Sequence, residues 1–229
     1  MKKVIIIIIS TLLGLTLLST IGFFVYTSIY YKAEQSALDI LELREDIVVT
    51  KDITYIPSTT PSDIGFIFYP GAKVESNSYL PLLDMISKEG INVYLIQMPF
   101  NLALLGSNKA EEVFELYEND KWFIGGHSMG GAFASSYASS NEDKIDGLIL
   151  LGAYIYGDYP INKSITIYGE HDKILSELDY TQNVHKIDGG NHAYFGNYGE
   201  QKGDGIATIT KCAQQEQTTN KISDFTKNM

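Results

Sequence analysis

The chain of 229 residues has little cysteine, little arginine and no cluster of basic residues. Its single cysteine, Cys212, has no second cysteine in the chain with which to form a disulfide. Seventeen basic residues stand against 28 acidic residues, for a net charge of −11. Binding to nucleic acid requires cationic side chains that neutralise phosphates, so we expect no nucleic-acid partner. Zinc-finger spacing, a P-loop and EF-hand ligand spacing are also missing, so we expect no metal and no organic cofactor.

Charge is missing altogether from residues 4–31, which follow Lys2 and Lys3. A helix needs roughly 20 apolar residues to cross a bilayer, whereas the apolar core of a cleaved signal peptide has about 7–15. The length favours a retained membrane anchor, and a cleaved signal is the alternative. Positive charge before the segment predicts that the rest of the chain lies outside the cytoplasm. We therefore expect a single-pass membrane protein with an extracytoplasmic domain, or a secreted protein after cleavage.

Three regions follow from this pattern. Residues 1–31 form the transmembrane anchor or signal segment, residues 32–46 a stalk or first helix, and residues 47–229 one α/β domain. Without the first segment, fifteen basic and 28 acidic residues remain, a net charge of −13. The apolar N-terminus is therefore the membrane contact that we expect.

The remaining sequence alternates between apolar runs and helical patterns. "IVVTKDITYIPS" predicts a strand or hairpin. The other expected strands are "IGFIFY", "INVYLIQM", "KWFIGG", "GLILLG", "SITIYG" and "NVHKID", and the expected helices are "YLPLLDMISKEG", "KAEEVFELY", "MGGAFASSYASS" and "KCAQQEQTTNKISDF". Continuous apolar strands with helices between them predict a mostly parallel central sheet with helices on both faces.

The segment "GGHSMGG" places Ser128 between a predicted strand and a predicted helix. It fits the pattern G-x-S-x-G of a nucleophile elbow, a sharp turn that lifts a serine hydroxyl clear of the sheet. The following helix would direct the positive end of its dipole at a developing oxyanion. The alternative is a tight strand–helix turn without chemistry.

A serine hydroxyl needs a base to become a good nucleophile. In hydrolases with such an elbow, the acid and then the histidine follow the serine along the chain. We expect His192, in the glycine-rich "DGGNHAYFG", to be the base, and His127 to be structural. Asp172 is the expected acid, with Glu170 as the alternative carboxylate.

An oxyanion hole needs two donors. The backbone amide of Met129 is the first, and that of Ala72 is the expected second. After the strand "INVYLIQM", the side chains of Phe100, Leu102 and Leu104 could line an acyl pocket, although core packing explains them equally well.

These motifs resemble those of the α/β-hydrolase fold superfamily, with "GGHSMGG" as elbow, "YGEHD" as acid loop and "GGNHAYFG" as histidine loop. More narrowly, the chain is similar to bacterial α/β-hydrolase fold proteins distantly related to dienelactone hydrolases. The supporting stretches are "FYPGAKVESNSYLPLL", "MPFNLALL" and "FGNYGEQKGDGIATI", and the resemblance spans residues 53–225. Two departures stand out: Pro70-Gly71 replaces the His-Gly of many relatives, and Ser128 stands where dienelactone hydrolases use cysteine.

The resemblance implies a serine hydrolase that cleaves an ester or similar acyl bond through an acyl-enzyme intermediate. Only the short "AYIYGDYPINK" lies where many relatives insert a lid, which favours a small-molecule or surface-presented acyl substrate. Two alternatives stay open: an inactive hydrolase fold that serves as a surface binding module, or a thioesterase or peptidase on the same scaffold.

Overall fold

The computed structural model describes residues 2–229, which fall into two compact units divided between Tyr30 and Tyr31. The first unit contains one helix, α1 (Lys2–Ser28), with a mean hydropathy of 2.6 over its most apolar window. Its 27 residues correspond to about 40 Å of helix, which exceeds the roughly 30 Å core of a bilayer. The predicted apolar N-terminal helix is thus confirmed, and its length and composition suit a membrane span or a signal sequence.

The second unit, Tyr31–Met229, is built on a sheet of eight strands. In chain order these are β1 (Val48–Val49), β2 (Ile53–Ile56), β3 (Ile64–Tyr69), β4 (Asn92–Ile96), β5 (Lys121–His127), β6 (Gly147–Leu151), β7 (Ser164–Gly169) and β8 (Val184–Ile187). Their order across the sheet is β1-β2-β4-β3-β5-β6-β7-β8. Strands β1 and β2 pair antiparallel, as does β2 with β4, and all other pairs are parallel. The predicted mostly parallel sheet is confirmed.

Helices cover both faces of the sheet. Successive side chains of each strand point to opposite faces, so neighbouring residues of one strand pack against different helices. The helices of this unit are α2 (Gln35–Leu43), α3 (Leu80–Lys88), α4 (Ala110–Leu116), α5 (Met129–Ser140) and α6 (Lys211–Asn228). Phe66 of β3 packs in one core with residues of α3 and α6, whereas its neighbour Ile67 packs in the other with residues of α4 and α5.

Two connections depart from the strand–helix alternation. The structure describes residues 152–163 and 170–183 completely, and neither segment contains an α-helix. A single 3₁₀ turn, Ile161–Lys163, precedes β7. Residues 152–163, which connect β6 and β7, lie where many relatives insert a lid. The connection is short, as the sequence predicts.

The carboxyl ends of the parallel strands lie along one edge of the sheet, called here the carboxyl edge. Ser128 directly follows β5, Gly152 follows β6, and the loops after β7 and β8 carry Asp172 and His192. In open α/β sheets, ligands bind outside this edge. The topology therefore gathers residues that are up to 64 positions apart in the sequence.

Candidate active site

Ser128 occupies the turn between β5 and α5 with a backbone conformation that side chains rarely adopt. Its φ is 54° and its ψ is −126°. Such a conformation costs on the order of 1–3 kcal/mol and persists only where the surrounding structure enforces it. Here the Ser128 amide donates a hydrogen bond to the Leu151 carbonyl over 2.9 Å, which ties the turn to β6.

Two glycines beside Ser128 permit this turn because their backbone passes close to the end of β3. A β-carbon at Gly126 would overlap the carbonyl oxygen of Tyr69, and one at Gly130 would overlap that of Pro70. The glycine spacing of the motif is therefore required by backbone contact.

Asp172 and His192 form a buried pair. The His192 Nδ1 lies 2.8 Å from Asp172 Oδ2, and the two side chains are 1% and 0% exposed. The other carboxylate oxygen accepts hydrogen bonds from the Ile174 and Leu175 amides, each over 2.8 Å. A carboxylate has no proton to donate, so His192 Nδ1 donates this hydrogen bond, and in the neutral imidazole Nε2 carries the lone pair.

Glu170, the alternative acid, takes another position. Its Oε2 accepts a hydrogen bond from the Gly189 amide over 2.9 Å, and its Oε1 lies 3.6 Å from Lys186 Nζ. The Gly189 hydrogen bond and the Lys186 charge lower the pKa of Glu170. The structure thus places Asp172, and not Glu170, against the imidazole of His192.

The loop that carries His192 is held by hydrogen bonds immediately before and after this residue. Gln214 of α6 accepts from the Asn191 amide over 2.9 Å and donates to the Asn191 carbonyl over 2.8 Å. On the other side, the Ala193 amide donates to Asp204 Oδ2 over 2.9 Å. Gln214 is fully buried, so water competes little for these hydrogen bonds. The backbone is fixed immediately before and after His192.

Ser128 and His192 line the same pocket, which has a volume of about 210 Å³. Its other lining residues are Met129, Ala132, Gly152, Ala153, Tyr154, Ile174, Leu175 and Ser176. Within residues 2–229, the buried Nε2 of His192 has no hydrogen-bond partner. A larger cavity of about 490 Å³, lined in part by Asp172, adjoins the pocket and shares Leu175 and Ser176 with it.

The expected oxyanion donors are the backbone amides of Met129 and Ala72. Met129 is the first residue of α5, where amides have no partner within the helix. On the loop after β3, the Gly71 amide donates to the Tyr79 hydroxyl and the Lys73 amide to the Asn101 carbonyl. Between them, the Ala72 amide makes no hydrogen bond to any residue within 2–229. Ala72 is not among the lining residues of the pocket.

His127 lies under the pocket in a hydrogen-bonded network. The Tyr79 hydroxyl accepts a hydrogen bond from the Gly71 amide over 3.1 Å and lies within hydrogen-bond distance, 2.8 Å, of His127 Nδ1. The centroids of the His127 and His192 rings are 4.4 Å apart. Burial, with a smaller contribution from His192, lowers the pKa of His127 well below its usual value. His127 is therefore a neutral packing partner of the His192 ring.

The apolar residues proposed to line a pocket lie elsewhere on the surface. Phe100 and Leu104 belong to two 3₁₀ turns after β4, with exposed fractions of 46% and 63%, and Leu102 lies between the turns. None of the three lines the pocket of Ser128, whose apolar wall comes from the starts of α5 and of the loops after β6 and β7.

Gly152 is a site residue that the sequence pattern did not single out. Its φ is +51°, and a β-carbon there would lie 2.8 Å from His192 Nδ1 and 3.1 Å from Asp172 Oδ2. The only signal in the sequence was a glycine directly after the strand "GLILL". No group of three or more histidine, cysteine or acidic side chains within residues 2–229 is arranged to hold a metal ion.

Comparisons with known proteins agree with this architecture. Residues 65–216, well over half of the chain, match the model of the alpha/beta hydrolase family. No curated protein matches the chain. Among solved structures, a predicted CIB-like hydrolase from Thermoplasma acidophilum is 15% identical, with a TM-score of 0.54 over 80% of this chain and 96% of its own.

Two further structures share the fold. Mouse alpha/beta hydrolase domain-containing protein 10 is 12% identical, with a TM-score of 0.52 over 80% of this chain and 98% of its own. A ferulic acid esterase from Streptomyces cinnamoneus is 15% identical, with a TM-score of 0.54 over 75% of this chain and 68% of its own. At these identities the similarity establishes the fold, which is the one that the sequence motifs imply.

Proposed function

Since the chain belongs to the alpha/beta hydrolase family, we propose that it is a serine hydrolase that cleaves an ester or a similar acyl bond. The observation that carries the proposal is the buried Asp172–His192 pair, whose second imidazole nitrogen has no partner in a pocket shared with Ser128. One of the structural neighbours is described as an esterase, which is consistent with ester chemistry.

In the proposed mechanism, Ser128 Oγ attacks the substrate carbonyl while His192 Nε2 takes the hydroxyl proton. The proton then passes to the leaving group as its bond to the acyl carbon breaks, which leaves an acyl-enzyme. Water, deprotonated by the same imidazole, hydrolyses this intermediate. Asp172 holds the imidazole in the required tautomer and stabilises its charged form. Catalytic hydrogen bonds often tighten only when substrate binds, which accounts for the unpartnered Nε2.

The negative charge that develops on the carbonyl oxygen would be stabilised by the Met129 and Ala72 amides. The N-terminus of α5 adds partial positive charge at the same place. Support for Ala72 comes from its neighbours, since the amides of Gly71 and Lys73 already have partners.

We also propose that α1 anchors the chain in a membrane, with Lys2 and Lys3 on the cytoplasmic side and the hydrolase domain outside. Removal of α1 as a signal sequence would instead release the domain. The substrate is a small-molecule or surface-presented acyl compound, because the connection after β6 is too short to form a lid domain.

Replacement of the nucleophile tests the proposal directly. Ser128→Ala should reduce turnover of a short-chain nitrophenyl ester by at least about 10³-fold, since oxyanion stabilisation alone would remain. Ser140→Ala, at the exposed end of the same helix, is the matched control and should retain activity. A fluorophosphonate probe should label Ser128, with the site identified by peptide mapping.

Ser176 lines the same pocket. Labelling at Ser176 instead of Ser128 would show that the assignment of Ser128 as the nucleophile is wrong. A wild-type chain that neither turns over esters nor reacts with the probe would support the alternative of an inactive binding module. Faster turnover of thioester or peptide substrates in a matched panel would select a thioesterase or peptidase instead.

A further inference from the structure

We propose that the cavity of about 490 Å³ beside the Ser128 pocket is the subsite for the alcohol half of the substrate. The esters that it selects combine a short acyl group with a bulky, apolar alcohol that carries no negative charge. This assignment deepens the proposed hydrolase function and rests on it. All the side chains involved belong to the second unit, Tyr31–Met229.

The Ser128 pocket is too small to hold a bulky substrate by itself. Its volume is about 210 Å³, whereas ligand sites in proteins commonly measure about 300–1,000 Å³. The adjoining cavity lies within that range. Leu175 and Ser176 line both spaces, so a molecule bound at Ser128 can extend past these two residues into the cavity.

The boundary between the two spaces is fixed to the proposed acid. Asp172 Oδ1 accepts a hydrogen bond from the Leu175 amide over 2.8 Å, and Asp172 Oδ2 lies 2.8 Å from His192 Nδ1. Asp172 also lines the cavity. One carboxylate therefore holds both the imidazole and the entrance of the cavity, so the entrance lies at a set position relative to the imidazole.

This position assigns the cavity to the alcohol half of the ester. In the proposed mechanism, His192 Nε2 gives its proton to the alcohol oxygen as the bond from this oxygen to the acyl carbon breaks. The alcohol oxygen must therefore lie next to His192, on the side where Asp172 and Leu175 border the cavity. The acyl half stays at the start of α5, where Met129 and Ala132 line the smaller pocket.

The wall of the cavity suits an apolar group. More than half of the residues around it are aliphatic or aromatic, among them Leu178, Tyr168 and Tyr180. The Tyr180 hydroxyl accepts a hydrogen bond from the Ile155 amide over 3.2 Å and lies 2.7 Å from Thr166 Oγ1, which fixes the ring. Removal of apolar surface from water is favourable, and aryl groups pack well against tyrosine rings. An alcohol with an aryl group therefore fits this wall.

The charge around the cavity is negative. Glu177 lines its wall, and Asp158 and Asp179 line a neighbouring cavity that shares Tyr180. Within residues 2–229, no lysine or arginine lines either cavity or the Ser128 pocket. A carboxylate on the substrate would meet like charges without a cation to balance them. Because the three protein carboxylates are exposed, the resulting selectivity is modest and weakens with salt.

A cavity-filling substitution tests the subsite in the full chain. Leu178→Trp places a larger side chain in the cavity, whereas Leu116→Trp, at the exposed end of α4, is the matched control. Ethyl acetate and naphthylmethyl acetate share the acyl group and differ in the alcohol. We expect a wild-type kcat/KM at least about tenfold higher for the naphthylmethyl ester, and a loss of at least about tenfold in Leu178→Trp for this ester alone.

Thr181→Trp, at an exposed position of the same wall, is the second variant, with circular dichroism as the folding control. Equal losses for both esters in folded variants, or unchanged kinetics in both variants, would overturn the subsite. Methyl naphthylacetate carries the bulky group in its acyl half. Faster turnover of this ester than of naphthylmethyl acetate would overturn the assignment of the two halves.

Selectivity for charge is measured with a naphthylmethyl acetate that bears a carboxylate on its ring. We expect its kcat/KM to be at least about threefold below that of the neutral ester at low salt. The gap should narrow at high salt and in Glu177→Gln, but not in Glu115→Gln, which changes an exposed glutamate of α4. Faster turnover of the anionic ester, or an unchanged gap in Glu177→Gln, would overturn the charge clause.

A binding measurement separates the subsite from the hydrolase function. Equilibrium dialysis of naphthalenemethanol, the alcohol product, against Ser128→Ala should show saturable binding. The binding should be lost when Leu178→Trp is added and retained when Leu116→Trp is added. Absence of binding to Ser128→Ala would overturn the subsite, whereas a wild-type chain that binds this alcohol and hydrolyses none of the esters would overturn the hydrolase function.

Discussion

At the scale of single residues, two carboxylates that are two positions apart, Asp172 and Glu170, have different surroundings. The Asp172 side chain is fully buried and contacts His192, whereas Glu170 binds the Gly189 amide and Lys186 at the surface. Sequence spacing placed both near the end of β7, and only the structure distinguishes them. A pair of substitutions separates their roles.

Asp172→Asn should lower kcat by about 10³–10⁴-fold, because an amide favours the wrong tautomer of His192. Glu170→Gln should cost less than about tenfold, since Glu170 does not contact the imidazole in this structure. The measurement is the kcat for a short-chain ester, with circular dichroism as the folding control. Equal losses in both variants would contradict the assignment of the acid.

His127 gives the stability of the fold a dependence on pH. Because its folded-state pKa lies well below the ordinary value, the unfolded chain binds a proton as pH falls through about 6.5, and the folded chain does not. The stabilising contribution is therefore complete above this pH and is lost as the pH decreases below it. We expect a lower urea midpoint at pH 5.5 than at pH 7.5.

His127→Asn keeps an acceptor near the Tyr79 hydroxyl and removes the titrating group. Its urea midpoint should change less between the two pH values than that of the wild type. A smaller slope remains because burial and the Lys221 charge also lower the pKa of His185. An unchanged slope in the variant would show that His127 is not the source.

The sequence allowed some site residues to be predicted and concealed others. Ser128 was visible because the glycines that its turn requires are adjacent in the chain. Gly152 and Tyr79 were not visible, since their importance comes from contacts with His192 and with His127 and Gly71, which the sheet brings together. Local backbone constraints leave a sequence pattern, whereas contacts between distant loops do not.

At the scale of elements, α6 positions a residue that it does not carry. Gln214 binds both backbone groups of Asn191, the residue before His192. A β-carbon at Gly190 would lie 2.7 Å from the Gln214 side chain, so this contact depends on the glycine-rich loop. The helix thus sets the position of the imidazole through the backbone.

Gln214→Ala should lower kcat by about 10–100-fold with a smaller change in KM, because the imidazole loses its alignment and the pocket wall stays in place. It should also destabilise the fold by about 1–3 kcal/mol, as buried groups of Asn191 lose their partners. Gln217→Ala, on the exposed face of α6, is the matched control. Similar kinetics in the two variants would contradict a positioning role.

Most elements were predictable because each has a strong local pattern. The apolar runs "IGFIFY" and "SITIYG" match β3 and β7 residue for residue, and "MGGAFASSYASS" matches α5. The sequence pattern predicts neither the 3₁₀ turns after β4 nor the helix-free connection between β7 and β8. Such segments take their shape from packing against the domain and have no periodicity of their own.

At the scale of the whole molecule, the candidate site brings together loops that are far apart in the sequence. Ser128, Asp172 and His192 come from loops after three parallel strands, and 64 positions separate the first from the last. Such non-local pairing is slow to form, because loop closure must precede the contacts that reward it. The mostly parallel sheet was predictable from the sequence. To predict that these three loops meet, one also needs the order of the strands across the sheet, which the sequence pattern does not give.

The contact between Gln214 and the histidine loop has a consequence for biosynthesis. Gln214 follows His192 by 22 positions, so a polypeptide that stops between them contains Ser128, Asp172 and His192 without the side chain that holds the backbone of Asn191. Under the proposed function, hydrolytic activity would appear only after α6 has docked, and products truncated before α6 would be silent although they retain the three proposed reacting groups.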